Sequence, residues 1–150
     1  MTITWTTKDF ESLTTRELHD LLRLRIDVFV VEQSCAYAEA DGRDPKAIHI
    51  LGCSPDGELA AYARLLPPED DGLPRVGRVI VRQDVRGRGI AHDLMREVLR
   101  ALSAAHGSRR SKLSAQAQLQ EYYATHCYRS VSPEYDWDGI PHVDMVRDED

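Results

Sequence analysis

Between Ile90 and Leu102 the apolar residues Ile90, Leu94, Met95, Val98, Leu99 and Leu102 recur at helical steps, which lays one apolar stripe along a helix. The run stops near His106–Gly107, with a glycine where a helix C-terminus commonly has one. An earlier stretch, Ser12 to about Gln33, carries Leu18, Leu21, Leu22, Arg25, Val28 and Phe29 at similar spacing. It starts with Thr14 or Thr15 followed closely by Glu17, a helix-start signature. Its tail, VFVV, reads as helix or as extended chain. ITWTT (3–7) is a short β-rich run, and AIHILGCS (47–54) and ELAAYARLL (58–66) flank the turn Pro55-Asp56-Gly57, which predicts a β-hairpin. RVGRVIV (75–81) and SKLSAQ (111–116) read as strands, QLQEYYATH (118–126) as a short helix and CYRSVS (127–132) as a strand. PEYDWDGIP (133–141) reads as a loop and HVDMVR (142–147) as a last strand. The order β, α, β, β, β, α, β, α, β, β lacks the steady βαβα alternation of a doubly wound sheet. It predicts an α+β fold, a mixed sheet with helices on both faces. No internal repeat or long linker divides residues 1–150, so one domain is expected.

Composition narrows the classes. With 42% hydrophobic and 29% charged residues among 150, the chain is an ordinary globular sequence. No apolar run approaches the roughly 20 residues of a membrane span, and the polar start is no secretory signal, so a cytoplasmic protein without a membrane partner is expected. Cys35, Cys53 and Cys127 form no CxxC pair and the six histidines show no ligand spacing, so neither disulfides nor a metal is expected. Charge is unevenly placed. Between Arg75 and Arg110 stand nine arginines against three acids, a net of +6, so the remainder carries −12 to reach the total of −6. Positive charge confined to one stretch of an acidic chain suits a small polyanion better than a nucleic acid.

That stretch contains Val79-Ile80-Val81-Arg82-Gln83-Asp84-Val85-Arg86-Gly87-Arg88-Gly89-Ile90-Ala91, a strand running through a glycine loop into the amphipathic helix. Glycines let backbone N–H groups approach an anion, and the helix N-terminus adds its positive dipole end. The loop is neither a P-loop nor GxGxxG, since His92 occupies the third glycine's place. Its pattern is [RQ]-x-x-G-x-[GA], with Arg86, Gly89 and Ala91 in the fixed places, and it resembles the acyl-CoA pyrophosphate loop of the GNAT superfamily of N-acetyltransferases. Leu119-Gln120-Glu121-Tyr122-Tyr123-Ala124-Thr125-His126-Cys127-Tyr128 is similar to that superfamily's late helix motif, with Cys127 in place of the usual glycine. Further strings, among them Arg25-Ile26-Asp27-Val28-Phe29, Asp41-Gly42, Ala61-Tyr62-Ala63-Arg64-Leu65-Leu66-Pro67 and Tyr135-Asp136-Trp137-Asp138-Gly139, resemble its ElaA-like branch from end to end.

The resemblance implies the GNAT acyl-CoA N-acyltransferase fold, a central mixed, mostly antiparallel sheet splayed in the middle. It implies acetyl-CoA as co-substrate, no metal, and direct attack by a primary amine of a small molecule or peptide in a ternary complex. The pyrophosphate would rest on Arg86, Gly87, Arg88, Gly89, Ile90 and Ala91. Val79, Ile80 and Val81 would meet the pantetheine arm, and an N–H at or near Val79 would meet the thioester oxygen. Tyr123, beside the acetyl group, is the candidate general acid. Glu32 leads the candidate bases, followed by His49, His142 and Asp144. Arg64, His49, Asp136 and Asp138 are candidate acceptor contacts. A monomer and a homodimer are both open, as are two other activities: a non-catalytic acyl-CoA-binding or sensor domain, and an acyl-homoserine-lactone-synthase-like acyltransferase.

Overall fold

The computed structural model describes residues 1–36 and 38–149. Eight strands form one sheet: β1 (Thr4–Asp9), β2 (Ile48–Cys53), β3 (Leu59–Leu66), β4 (Arg75–Val81), β5 (Ser111–Gln116), β6 (Arg129–Ser130), β7 (Tyr135–Trp137) and β8 (Ile140–Arg147). Their spatial order is β1-β2-β3-β4-β5-β8-β6, with β7 also paired to β8. Every pairing is antiparallel except β4 with β5, which is parallel. The fold is thus α+β with a mixed, mostly antiparallel sheet.

Helix α1 (Thr15–Arg25) starts with a complete capping box. The Glu17 N–H donates to Thr14 Oγ1 at 3.0 Å and the Thr14 N–H donates back to Glu17 Oε1 at 2.9 Å, a reciprocal device that satisfies two orphan donors. The VFVV tail is neither ordinary helix nor strand: Ile26–Glu32 forms a π-helical segment continuing α1. Wide π turns are rare and cluster at functional sites; here the turn carries Phe29 into a cavity wall. Helix α2 (Ile90–His106) ends on Gly107 at φ 70°, and the short α3 spans Gln120–Ala124.

The two sheet faces bury different helices. Leu94, Met95, Val98 and Leu102 of α2, all fully buried, pack with Ile50, Ala61, Ala63, Leu65 and Val76. Leu21, Leu24 and Val28 pack with Leu51, Tyr62 and Ile80 on the opposite face. Each such side chain removed from water contributes roughly 1.5–3 kcal/mol. β3 is buried along its whole length, as a central strand covered on both sides should be. At the sheet's β1 side, Gly52 lies opposite Trp5 in the register; a Cβ there would sit 2.5 Å from the indole, so only glycine admits the ring.

Three local features depart from the sequence reading. The segment 133–141, expected as a loop, contains β7, hairpinned to β8 through Asp138-Gly139. Both turn residues have positive φ, 51° and 81°, the two-residue turn whose twist matches paired strands. The run 127–132 is a strand only at Arg129–Ser130. β4 is also not a plain strand. Its register slips between Tyr62↔Ile80 and Arg64↔Gly77, and Arg78 stands at φ 51°, a β-bulge. The extra residue flips the side-chain alternation: Val76 faces α2, whereas Ile80 faces α1.

Candidate active site

β4 and β5 share a single register pair, Arg75↔Lys112, with the Lys112 N–H donating to the Pro74 carbonyl at 2.9 Å. Beyond that point the strands separate, so the bulged part of β4 has no partner on the β5 side. A cavity of about 480 Å³ opens there. Its walls include Gly77, Arg78 and Val79 of β4, Leu113, Ser114 and Gln116 of β5, and Tyr123, Phe29, Trp137 and His142.

Three tyrosines cluster beside this cleft, and their hydroxyls are spent differently. Tyr122 donates to the Ala91 carbonyl at 2.6 Å, tying α3 to the first turn of α2. Tyr128 shares a 2.6 Å bond with Ser111. The Tyr123 hydroxyl bonds to nothing among the described residues, and Tyr123 alone of the three lines the cavity. Burial raises all three phenols, Tyr128 to about 12 and Tyr123 further, with neighbouring tyrosines adding to the Tyr123 shift. Tyr123 therefore keeps its proton across the physiological range.

The loop into α2 has the open form its glycines suggest. Gly87 and Gly89 take φ 81° and 79°, and a Cβ on either would meet nothing within 4 Å. No side chain caps α2, so its first N–H groups lack intrahelical partners and present a positive dipole end. Arg88 points to no ion-pair partner among the described residues. Arg86 is occupied: its Nε–H donates to the Val81 carbonyl at 2.8 Å, and its two terminal nitrogens donate to Glu32 at 2.8 and 3.0 Å. Glu32, expected as a base, is thus the ion-pair partner of Arg86, and it does not line the cavity that holds Tyr123.

The remaining expected residues divide. His142 lines the cavity. It lies between the Tyr135 ring, stacked at 6.2 Å, and Trp137 at 5.3 Å. Its Nδ1–H donates to the Ile140 carbonyl at 2.8 Å, because a carbonyl only accepts. Nε2 is then the nitrogen free to take a proton. Asp138 lines the cavity too, whereas Asp136 accepts the Gly139 N–H in the hairpin turn. Asp144 accepts from Ser114 at 3.0 Å and Tyr135 at 2.6 Å and does not itself line the cavity. His49 is fully buried. Its Nε2–H donates to the Asp44 carbonyl at 3.1 Å, and the Tyr62 hydroxyl donates to its Nδ1 at 2.5 Å. Both nitrogens are engaged in the core, which leaves His49 no route to an acceptor.

Arg64 reaches the cavity as part of an ionic network that sequence patterning did not reveal. Arg64 donates to Asp41 at 3.0 and 2.6 Å and to Asp44 at 3.1 Å. Arg25, with no exposed surface, donates to Glu39, to Asp44 at 2.7 Å and to the Glu39 carbonyl at 3.1 Å. Arg78 donates to Glu39 at 2.9 Å, and its guanidinium lies 5.9 Å over the Phe29 ring. Three arginines thus balance three carboxylates around the bulge. The guanidinium contacts lower the Asp44 carboxyl and hold that of Asp41 well below the usual range, both against the effect of burial. The signal available in sequence was the run Asp41-Gly42-Arg43-Asp44, whose charges carry no periodicity that would mark them as buried.

Burial lowers the pKa of both His49 and His126; for His126 the neighbouring His92, 3.0 Å away, adds to the effect. A histidine held neutral binds fewer protons folded than unfolded, so stability rises with pH through that window. Thermal melts are expected to be level from pH 8 to 7 and to fall steadily from about pH 6.5 towards 5, below the ordinary histidine value of about 6.5. His126→Gln should flatten part of that slope; a melting temperature constant down to pH 5 would contradict the assignment.

The chain is of the acyltransferase class: it belongs to the family of the acetyltransferase (GNAT) domain, whose model matches residues 19–148. Protein ElaA of Escherichia coli is 41% identical over 149 residues, covering 97% of each chain. A UPF0039 protein of Schizosaccharomyces pombe is 41% identical over 139 residues, 92% of each. Among solved structures, an acyl-CoA N-acyltransferase of Pseudomonas aeruginosa superposes with a TM-score of 0.92 at 42% identity, covering 97% of this chain and 99% of its own. Cys127, at the place where the late motif usually has glycine, keeps a left-handed φ of 69°. That is the region glycine adopts most readily.

Among the described residues no helix is long and apolar enough to cross a membrane, and no group of three metal-ligating side chains occurs.

Proposed function

We propose that the protein is an N-acetyltransferase that passes an acetyl group from acetyl-CoA to a primary amine by direct attack within a ternary complex. The observation that carries this reading is the meeting, in one cavity, of the unpaired bulge of β4 and the unengaged Tyr123 hydroxyl. The residues present fit the co-substrate: the N–H groups from Gly87 to Ala91 and the free Arg88 suit a diphosphate, and the unpaired edge of Val79–Val81 suits an amide-bearing arm. When bound, acetyl-CoA supplies the activated acyl group. The N–H at Val79 or its neighbour donates to the thioester oxygen as negative charge develops on it. His142 Nε2 takes the proton of the ammonium, directly or through water, and releases a neutral amine to attack. Tyr123 gives its proton to the departing thiolate, and the surplus proton of the attacking nitrogen, released as the amide forms, returns through water to the Tyr123 oxygen. Glu32 takes a binding role: it orients Arg86 against the loop. Asp138 and Trp137 at the mouth attract the incoming cation by charge and by the ring face.

Binding is tested apart from turnover. At about 100 times Kd, CoA should stabilise the fold by about 2.7 kcal/mol, or roughly 5–10 °C for a chain of this size. Gly89→Val forces a β-branched residue to φ 79°, so its baseline melting temperature falls. The readout is the increment with CoA, which should shrink to less than half. An undiminished increment would remove the loop from the site, and a full increment without thiol release from any amine would leave a sensor domain.

A further inference from the structure

The mouth of the cavity carries a feature the acetyl transfer does not use. Arg43 lies in the turn before β2 and Arg75 opens β4; Glu69, from the loop after β3, stands with both at the wall. Glu69 Oε2 is 3.5 Å from Arg43 Nη2 and 3.3 Å from Arg75 Nε. Neither approach has hydrogen-bond geometry. Arg43 is half-exposed, and its guanidinium meets no other partner among the described residues. The Arg75 fork is fixed from behind: Asp71 accepts at 3.1 and 2.9 Å and the Leu73 carbonyl at 2.7 Å, which leaves the Nε edge toward Glu69. Glu69 itself is half-exposed on a turn closed by the Gly72 N–H donating to its carbonyl at 2.8 Å. Its side chain can therefore swing out while the turn stays intact.

Two guanidiniums loosely sharing one carboxylate, at the edge of a cavity, form a place where a ligand carboxylate can replace the protein's own. We propose that Arg43 and Arg75 bind a carboxylate of the acceptor, so that the acceptor is a primary amine of the amino-acid class and Glu69 is the internal stand-in it displaces. The inference rests on the N-acetyltransferase reading above and adds the substrate's second charge. Guanidinium edges match a planar carboxylate in shape and charge. The ammonium end then lies towards Asp138 and His142, and a zwitterion meets a wall that carries both signs.

The test compares amines that differ only in the carboxylate: L-phenylalanine with 2-phenylethylamine, and L-lysine with 1,5-diaminopentane, followed by release of CoA thiol. The acid of each pair should have the higher kcat/KM. Arg43→Gln should raise KM for the acid about tenfold, and for its decarboxylated partner no more than about twofold, the loss of one charged contact. Glu69→Gln, by removing the internal competitor, should lower KM for the acid about threefold, an improvement that a merely structural role for Glu69 would not give. Equal use of both partners, a preference for the decarboxylated amine, or an equal Arg43→Gln effect on both overturns the proposal. If no amine releases thiol, the acetyltransferase reading fails by itself. The subsite is then judged by quenching of Trp137 fluorescence, read against Trp137→Phe. Tighter binding of N-acetyl-L-phenylalanine than of N-acetyl-2-phenylethylamine, lost in Arg43→Gln, upholds it, and equal binding overturns it.

Discussion

Arg25→Ala should lower the melting temperature at pH 7 by about 6–20 °C. The side chain has no exposed surface, and its guanidinium spans Glu39 and Asp44 while lying 5.8 Å from the Tyr62 ring centroid. Its removal leaves Arg64 and Arg78 facing three carboxylates, one charge in excess, in a buried setting. Breaking a buried pair by deleting one partner costs about 3–5 kcal/mol, and each kcal/mol moves the midpoint of a chain of this size by roughly 2–4 °C. Arg25→Met fills most of the volume without restoring the charge, so it should recover little. The sign of the pH dependence follows from the carboxyls. In the wild type the folded pKa of Asp44 is depressed, an advantage present at neutral pH and lost as pH falls through the carboxylate range. The variant has already lost much of it, so the gap between the two melting curves should narrow as pH falls from 7 towards 4. A gap under about 4 °C at pH 7, or full recovery by Arg25→Met, would mean that packing rather than charge balance holds this corner.

The same network explains how a strained residue stays in the bulge. Arg78 at φ 51° lies where non-glycine residues are uncommon. Its bonds to Glu39, and through Glu39 to Arg25 in α1, fix the backbone that exposes Val79. The stability of α1 is thereby coupled to the geometry of the candidate oxyanion donor. Three residues from distant parts of the sequence, Arg25, Glu39 and Arg78, act as one strap.

What was legible in the sequence is what local periodicity and turn chemistry encode. The α2 stripe, the Thr14–Glu17 cap, the Pro55-Asp56-Gly57 hairpin and the strand–loop–helix at 79–91 each follow from residues within a few positions of one another. Asp138-Gly139 carried the same hairpin signal, yet Pro133 and Pro141 around it read as loop. Pro141 is tolerated in β8 because it lies one residue beyond the last β5 partner, at Gln116↔His142, on the side its nitrogen faces, so the ladder asks no N–H of it. The β4 bulge left no periodic trace, since RVGRVIV is apolar at Val76, Val79, Ile80 and Val81 whichever face each takes. The ionic network was invisible for a different reason: its partners lie 14 to 39 residues apart, and a turn rich in Asp and Arg looks solvated until a fold buries it. Glu32 shows the same limit. Its partner, Arg86, is 54 residues away, and no local pattern announces a pair across that separation.

Tyr123→Phe should reduce kcat about 10²-fold, within the range general acid catalysis contributes, while KM for acetyl-CoA changes by less than about threefold. The substitution deletes one oxygen. The ring stays packed against Tyr122 at 4.8 Å and Tyr128 at 6.2 Å, and the hydroxyl makes no bond whose loss would disturb the fold. Reference values put a phenol near 10 and a thiol near 8.5, so proton transfer to the thiolate is uphill before the site acts. Burial raises the phenol further, but the same desolvation raises the thiol, because both groups are anionic when deprotonated. The transfer is thus nearer balance in the cavity than the phenol shift alone implies. The two arms of the test separate chemistry from binding. The CoA-induced rise in melting temperature should survive in Tyr123→Phe, and turnover should not. A variant with unchanged kcat removes Tyr123 from the mechanism and leaves water as the proton donor to the thiolate. A variant that loses both turnover and the CoA response makes Tyr123 a wall of the binding slot.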